Sequence, residues 1–175
     1  MQNLPPDGLV VRDAGDADIG GLVRLRPPEL AHRDRLRDAR HSGFRYLVLE
    51  HEAEVIGFVC LVFTRPASWP ESRNAALLPQ IVDSFIAPSL RSKGYGSYLI
   101  RTLERLAWEQ GFRAVYLSVD PLGNPRAYAL YRSLGYHQVQ QEPYREQGHY
   151  TDSAGQVHES DDWELDMVRP LHSCI

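Results

Sequence analysis

The sequence has few of the features that mark secreted, membrane-spanning or metal-binding proteins. Its 175 residues include only two cysteines, Cys60 inside an apolar run and Cys174 one residue from the end, which is neither a disulfide framework nor a metal pattern. The longest apolar runs are far shorter than the ~20 residues of a membrane helix. The N-terminal MQNLPPDG has neither a basic nor an apolar signal-peptide region. We therefore expect a cytoplasmic protein with no membrane partner.

An excess of positive charge is also missing. The net charge of −4 weighs against a nucleic-acid surface and permits a cationic partner. A hydrophobic content of 43% with 24% charged residues is typical of a globular protein, and 175 residues is about the length of one domain. We predict a single domain over residues 1–175, with its core in residues 9–171.

Apolar periodicity and helix-capping residues predict the elements of the first half. Asp16 is predicted to cap a first helix that Pro27 and Pro28 stop, and residues 29–41 form a second, highly charged helix. A hairpin follows over residues 44–50 and 55–63. The arginines of the second helix indicate either an anion site or a solvated face, and we expect the solvated face: Arg33, Arg35, Arg37 and Arg40.

Strands and helices alternate in the second half. Residues 77–87 are predicted as a strand, and the helix that begins at Gly96 ends at Gly111. After a strand over residues 114–119, Asn124 and Pro125 begin another helix, which Gly135 closes. A final strand pair, residues 136–141 and 163–168, is joined by the polar segment 142–162. This order predicts a mixed α/β or α+β fold.

The glycine turn RSKGYGS, residues 91–97, lies between a predicted strand and a long predicted helix. It lacks the third glycine of a dinucleotide fingerprint, since Leu99 stands there, and its Lys93 is misplaced for a P-loop. Exposed N–H groups and the positive end of the helix dipole would favour an anion. A tight turn that needs glycine at positive φ explains the same residues.

Two linked motifs carry a resemblance to a known superfamily. Arg91-Ser-Lys-Gly94-Tyr-Gly96 resembles the R/Q-x-x-G-x-G/A signature of the GCN5-related N-acetyltransferases (GNAT), and NPRAYALYRSLGY, residues 124–136, is similar to their N-x-x-A-x-x-L-Y-x-x-x-G-F pattern. Only the final Tyr for Phe departs from it. WELDM, residues 163–167, is similar to their last strand. The resemblance spans about residues 10–171 and implies a mixed, mostly antiparallel sheet of about six or seven strands with about four helices.

The resemblance implies acetyl-coenzyme A as the cofactor. Backbone amides of the glycine turn would wrap its pyrophosphate: Arg91, Ser92, Lys93, Gly94, Tyr95, Gly96 and Ser97. The strand before the turn would diverge from its neighbour and leave backbone groups for the pantetheine arm: Phe85, Ile86 and Ala87. Asn124 would meet the same arm, which is compatible with its role as a helix cap. An N–H near Ile86 would stabilise the oxyanion.

The resemblance also implies two catalytic residues, Asp83 and Tyr131. Asp83 matches the position where many relatives carry a glutamate base, and its shorter side chain favours relay through water. The alternative is a strand-end carboxylate with a structural role. Tyr131 matches a tyrosine that protonates the leaving sulfur, although packing alone also explains it, and Tyr128 is the second candidate. With Cys60 expected to be buried and no metal pattern, we predict direct transfer in a ternary complex.

The acceptor is less constrained by the sequence. The fold would present residues 27–41, 65–75 and 142–162 to a primary amine, which can belong to a small molecule, an amino acid, an antibiotic or a protein. Aromatic and imidazole side chains could pack on its carbon body: Trp69, Tyr144, His149 and Tyr150. Acids of the late segment could attract a cation, although a solvated role is the default: Glu142, Glu146, Glu159, Asp161 and Asp162.

Two other functional classes stay open. A non-catalytic acyl-coenzyme A sensor is favoured by aspartate at position 83 and opposed by the intact Asn124 and Tyr131. A toxin-like enzyme acting on aminoacylated tRNA would need a basic face, which a chain of net charge −4 does not indicate. By resemblance, we also predict a homodimer.

Overall fold

The computed structural model describes residues 8–41, 43–64, 78–152 and 155–172, with side chains described for all of these except residues 148–151 and 160. Within these residues there are four α-helices: α1 (Ile19–Leu25), α2 (Glu29–Asp38), α3 (Tyr95–Glu109) and α4 (Pro125–Ser133). The strands are β1 (Leu9–Asp13), β2 (Phe44–His51), β3 (Glu54–Val62), β4 (Gln80–Ile86), β5 (Ala114–Val119), β6 (His137–Gln138), β7 (Tyr144–Thr151) and β8 (Val157–Pro170). Short 3₁₀ turns cover Asp16–Asp18 and Pro88–Leu90.

The eight strands form one open mixed sheet in the order β1-β2-β3-β4-β5-β8-β6, with β7 pairing only with β8. Every pairing is antiparallel except that of β4 with β5. The 14-residue β8 serves two partners in turn, because its first half pairs with β7 and its second half with β5 and β6. The predicted mixed α/β fold with four helices is therefore confirmed.

Helices cover both faces of the sheet, which explains why β2 and β3 read as nearly continuous apolar runs. Residues of α3 and α4 pack on one face against side chains such as Leu47 and Val59. Residues of α1 and α2 pack on the other face against alternate side chains such as Val48 and Phe58. Each strand thus contributes to two apolar clusters, and the edge between β4 and β5 lies between the two helix pairs.

The predicted late loop is wrong, because most of residues 142–162 form the hairpin β7–β8. The predicted strand at 136–141 is reduced to His137–Gln138. This hairpin has no apolar alternation for a sequence reading to detect. It is held by the backbone ladder and by exposed charged pairs such as Arg145 with Asp161, whose Nε and Oδ1 atoms are 2.6 Å apart.

Two details of the first helices also differ from the prediction. Asp16 does not cap α1. Instead, the Asp18 carboxylate accepts hydrogen bonds from the Gly15 N–H and from the Arg12 guanidinium, each at 2.8 Å. The arginines of α2 are not all solvated, since the Arg35 side chain is only 19% exposed and pairs with Asp83. Charge patterning alone cannot distinguish an arginine that turns inward to meet a carboxylate from one that faces water.

The predicted helix boundaries that rest on special residues are confirmed. The Asn124 side chain accepts a hydrogen bond from the Ala127 N–H at 3.2 Å, with Pro125 in the first turn of α4. Gly111 and Gly135 follow α3 and α4 with φ of +92° each, the left-handed conformation that ends helices. α1 ends at Leu25, just before the two prolines.

Candidate active site

The glycine turn places the N-terminus of α3 beside the end of β4. Gly94 caps the helix with φ of +87°, and a side chain there would extend into open space. Gly96 has a different role, because a Cβ atom there would lie 3.3 Å from Leu130 of α4. One glycine therefore shapes the turn, and the other lets two helices approach. The first N–H groups of α3 have no partner within the helix and point to the turn.

Basic side chains fix the turn and charge it positively. Arg91 donates from Nε to the Ile86 carbonyl at 3.0 Å, and its guanidinium lies 5.4 Å from the centre of the Phe85 ring. Arg126 of α4 donates to the Ser92 hydroxyl at 2.8 Å, and Lys93 is exposed. The turn therefore unites the electrostatic features of an anion site.

Strand β4 separates from β5 as the two run toward the turn. Their ladder consists of Gln80 opposite Tyr116, and no further residues pair along the rest of the two strands, all of which the structure describes. On its other edge, β4 is disturbed by a bulge between the pairs Cys60↔Val82 and Phe58↔Phe85. Asp83 lies in this bulge with φ of +60°. A cleft bounded by backbone N–H and C=O groups of β4 results, as the resemblance implied.

Tyr131 reaches this bulge from α4. Tyr131 is 8% exposed, its ring packs against Tyr136, and its hydroxyl lies beside the Ser84 side chain. Burial raises the pKa of Tyr131 to about 12, against an opposing effect of Ser84. The phenol therefore keeps its proton at neutral pH beside the cleft. A tyrosine that only packed would not need this contact with the distorted strand.

Asp83 lies on the opposite face of β4 from Tyr131, under α1 and α2. Both of its carboxylate oxygens are engaged: Arg26 donates to Oδ1 at 3.1 Å, and Arg35 donates to Oδ2. A proton that moved onto this carboxylate would weaken two ion pairs. The base role of Asp83 stays a prediction, and these contacts weigh against it.

A buried histidine holds the end of α1 against α2. His32 is 1% exposed, and its Nε2–H donates to the Arg26 carbonyl at 2.6 Å, which leaves Nδ1 to accept from the Tyr46 hydroxyl at 2.7 Å. Burial lowers the pKa of His32, so the ring is neutral in this arrangement. It positions Arg26 and α2 but has no exposed atom to offer a substrate.

Cys60 is fully buried, and burial raises its pKa well above the usual range. A thiol in this state is a poor nucleophile. Across the residues that the structure describes, no group of three or more His, Cys, Asp or Glu side chains could hold a metal ion.

On the other side of the cleft, β5, β7 and β8 form a polar cluster that we call the acidic wall: Ser118, Tyr144, Glu146, Glu164 and Asp166. Asp166 is 2% exposed, and its Oδ1 accepts from the Ser118 hydroxyl at 2.7 Å and from the Tyr144 hydroxyl at 3.0 Å. Glu164 lies 3.5 Å from the same phenol and is in hydrogen-bonding contact with Glu146. Burial and this second carboxyl raise the pKa of Glu164 to about 7.

The predicted acceptor residues are not all brought together. Tyr144 lies in the acidic wall, whereas His149 and Tyr150 occur further along β7, on the order of 17 Å away at ~3.4 Å per residue. Their side chains, and all of Trp69, lie outside the described residues. The sequence reading missed Ser84, Ser118, Glu164 and Asp166. The alternation of acids with Leu165 in WELDM was the available signal for the last two.

Comparison with known proteins agrees with this geometry. The family model described as "Acetyltransferase (GNAT) family" matches residues 19–136, more than half of the chain. The chain belongs to the GNAT family. This GNAT chain is 28% identical over 138 residues to the β-lysine N(6)-acetyltransferase of Methanosarcina mazei, covering 75% of its own length and 47% of that protein's. It therefore spans about half the length of that curated relative.

Solved structures show the same GNAT fold. The ribosomal-protein-alanine N-acetyltransferase of Brucella melitensis superposes with a TM-score of 0.67 at 20% identity, over 93% of this chain and 99% of that one. The phosphinothricin acetyltransferase of Sinorhizobium meliloti, solved with acetyl-coenzyme A, gives 0.66 at 22% identity, over 94% and 89%. Within the described residues of this GNAT chain, no helix is long and apolar enough to span a bilayer.

Proposed function

We propose that the protein is an acetyl-coenzyme A-dependent N-acetyltransferase that acetylates a primary amine by direct transfer. The proposal depends on one observation. The Tyr131 hydroxyl lies beside Ser84 at the bulge where β4 has separated from β5. The glycine-capped N-terminus of α3 follows one short turn later in the chain. A proton donor, a backbone-lined cleft and an anion site thus follow one another along β4. Membership in an acetyltransferase family supports this reading.

In this proposal, the turn holds the pyrophosphate of the cofactor. The N–H groups of residues 91–97 and the dipole of α3 meet the phosphates, and Gly94 leaves the space that they need. Backbone groups of Phe85, Ile86 and Ala87 bind the pantetheine arm, with Asn124 on its other side. The bound cofactor supplies an acetyl group activated as a thioester.

The residues of the chain then provide charge stabilisation and proton transfer. A backbone N–H near Ile86 meets the developing oxyanion. Tyr131 gives a proton to the departing sulfur, because it holds that proton at neutral pH and lies at the cleft. Asp83, bound by Arg26 and Arg35, is better suited to positioning α1 and α2 than to accepting a proton.

The acceptor is proposed only as a primary amine. Relatives whose names specify a small amine include a spermidine N-acetyltransferase of Vibrio cholerae, solved with spermine, and the β-lysine enzyme. Trp69, Tyr144, His149 and Tyr150 remain candidate acceptor contacts, and a homodimer remains a prediction. A sensor without catalytic activity is the alternative that an experiment has to exclude, whereas the net charge gives a tRNA substrate little support.

Thiol release from acetyl-coenzyme A tests the proposal. We expect turnover with at least one member of a panel of n-butylamine, 1,4-diaminobutane, L-lysine and a lysine-containing peptide. Initial rates at varied concentrations of both substrates should give intersecting reciprocal plots. Parallel plots would instead indicate an acetylated enzyme. Tight binding of acetyl-coenzyme A with no thiol release from any amine would favour the sensor.

Gly94→Ala is expected to weaken acetyl-coenzyme A binding about tenfold, equivalent to about 1.4 kcal/mol. The added methyl group would occupy the space assigned to phosphate, and the left-handed backbone costs a non-glycine residue about 1–2 kcal/mol. Isothermal titration calorimetry measures the Kd. Gly111→Ala is the matched control, since it introduces the same strain at the other end of α3 and also faces open space. Equal losses of affinity in the two variants would contradict the phosphate assignment.

A further inference from the structure

We propose that Glu164 is the proton acceptor of the transfer reaction and takes its proton directly from the ammonium form of the acceptor. This inference rests on the proposed N-acetyltransferase function and assigns to it a residue on β8, outside both sequence motifs. Asp83, the sequence-based candidate, is the alternative. Three properties of the acidic wall carry the inference: its place in the cleft, its charge, and the partners of each carboxylate.

The position of the acidic wall in the cleft follows from strand register. Ser118 of β5 is opposite Asp166 of β8, so the two side chains lie on one face of the sheet, and Glu164 follows two residues earlier on that face. β5 is the strand from which β4 separates, and Ser118 contacts both acids. The acidic wall therefore lines the β5 side of the cleft, on the α1–α2 face. Asp83, with Arg26 and Arg35, lies on the β4 side of the same face.

The second property is the charge that the two glutamates, Glu146 and Glu164, bring to this wall. Glu146 and Glu164 form no ion pair with a lysine or arginine among the residues that the structure describes, and Asp162 lies on the same face of β8. Glu146 pairs opposite Asp162, and Tyr144 opposite Glu164. An ammonium ion entering the cleft would meet Glu164, which contacts Glu146 and interacts electrostatically with Asp166.

The hydrogen-bond and ion-pair partners of each carboxyl group distinguish Glu164 from the others. Asp166 is almost fully buried, and its Oδ1 is already engaged by two hydroxyl groups, so this side chain orients its neighbours. Glu164 contacts Glu146, and burial together with this second carboxyl raises the pKa of Glu164 to about 7, so Glu164 can accept a proton near neutral pH. To accept a proton, Asp83 would in contrast have to weaken its ion pairs with the guanidinium groups of Arg26 and Arg35.

A second, independent feature indicates that a polar ligand enters here. Tyr116 lies two residues before Ser118, on the same face of β5, at the single position where β5 still pairs with β4. It is 2% exposed, yet its hydroxyl has no hydrogen-bond partner among the described residues. Buried hydroxyl groups are normally satisfied. The Tyr116 hydroxyl at the narrow end of the cleft is therefore available to a polar group of the bound substrate, or to a water molecule that accompanies the substrate.

The proposed step balances in charge and atoms. One proton of the acceptor ammonium moves to Glu164, and the resulting amine nitrogen bonds to the acetyl carbon as the carbon–sulfur bond breaks. The sulfur takes the Tyr131 proton, and Tyr131 regains the second proton that the nitrogen loses. Glu164 then releases its proton to solvent. An ammonium and a thioester thus give an amide, a thiol and one proton.

The pH dependence of kcat/KM tests the assignment, with the panel amine that gives the fastest thiol release. In the wild type, the ammonium form reacts with the Glu164 carboxylate, so kcat/KM should rise to about pH 7 and then level off. In Glu164→Gln only free amine can react, so the rate should be at least about 10²-fold lower at pH 7 and keep rising toward the amine pKa of roughly 10. In Glu146→Gln, loss of the neighbour that raises the Glu164 pKa should move the break to lower pH.

Asp161→Asn is the matched control. It removes the same charge from the opposite face of β8, where Asp161 pairs with Arg145 at the surface, and it should keep the wild-type profile. The Kd for acetyl-coenzyme A and the unfolding curve of each variant establish that it is folded. A Glu164→Gln profile that still levels off near pH 7 would overturn the proposal, as would loss of the break in Asp83→Asn alone. If the wild type turns over no panel amine, the proposed function itself fails.

Discussion

Replacing Tyr131 with phenylalanine is expected to lower kcat about 10²-fold or more, while the Kd for acetyl-coenzyme A changes only a few-fold. The ring packs against Tyr136 inside the α3–α4 cluster, and phenylalanine preserves that packing. Only the hydroxyl beside Ser84 is lost, and with it the proton that the departing sulfur needs. Because the effect arises in the chemical step, it should appear in kcat rather than in cofactor affinity.

Single-turnover and steady-state kinetics of thiol release measure this effect. Tyr136→Phe is the control, because it removes a neighbouring buried hydroxyl that faces Glu104 rather than the cleft. For Tyr136→Phe we expect a lower free energy of unfolding without a comparable loss of kcat. Tyr128→Phe tests the second candidate on the same helix. If that variant loses activity and Tyr131→Phe does not, the proton donor is misassigned.

Gly57→Ala is expected to lower the free energy of unfolding by about 3 kcal/mol and to weaken the binding of acetyl-coenzyme A at least tenfold. A Cβ atom at Gly57 would lie 2.6 Å from the Phe85 carbonyl oxygen and 2.7 Å from Cδ1 of Ile86. Gly57 pairs directly with Ile86, so β3 and β4 would have to move apart at the segment proposed to bind pantetheine. Packed sheets have little freedom to absorb such a shift.

Urea unfolding and calorimetric titration with acetyl-coenzyme A measure the two effects of Gly57→Ala. Gly20→Ala is the control, because Gly20 is exposed on α1 and a Cβ atom there would meet only the end of Arg24 at 3.7 Å. Its stability should stay within ~1 kcal/mol of the wild type. A Gly57→Ala protein as stable as the wild type would mean that β3 and β4 are not held as closely as their pairing indicates.

The donor side of the molecule could be predicted because its features are local in the sequence. Asn124 caps α4 three residues before its partner Ala127, and the Gly94 turn is specified by neighbouring residues. The glycine that ends α3 and the hairpin β2–β3 follow from equally short signals. For these elements, backbone conformation and periodicity act within a few residues, and tertiary contacts do not override them.

The acceptor side could not be predicted, because its contacts join residues far apart in the chain. Arg35 meets Asp83 from 48 positions away, and Ser118 meets Asp166 across the same separation. The hairpin β7–β8 was hidden for a different reason. Asp161 and Asp162, neighbours on opposite faces of β8, are both exposed, so this strand lacks the apolar alternation by which strands are recognised.

The two halves of β8 tolerate substitution very differently. Residues from Leu165 onward are bound into the central sheet, where Leu165 and Met167 are at most 1% exposed and a truncation would cost several kcal/mol, about 2–5 for a buried aliphatic side chain. Residues before Trp163 pair with β7 alone in the sheet, and changes at exposed positions there usually fall within about 0.5 kcal/mol. A directed-evolution library aimed at a new acceptor can therefore randomise the exposed positions of the hairpin half while leaving the donor half of the molecule intact.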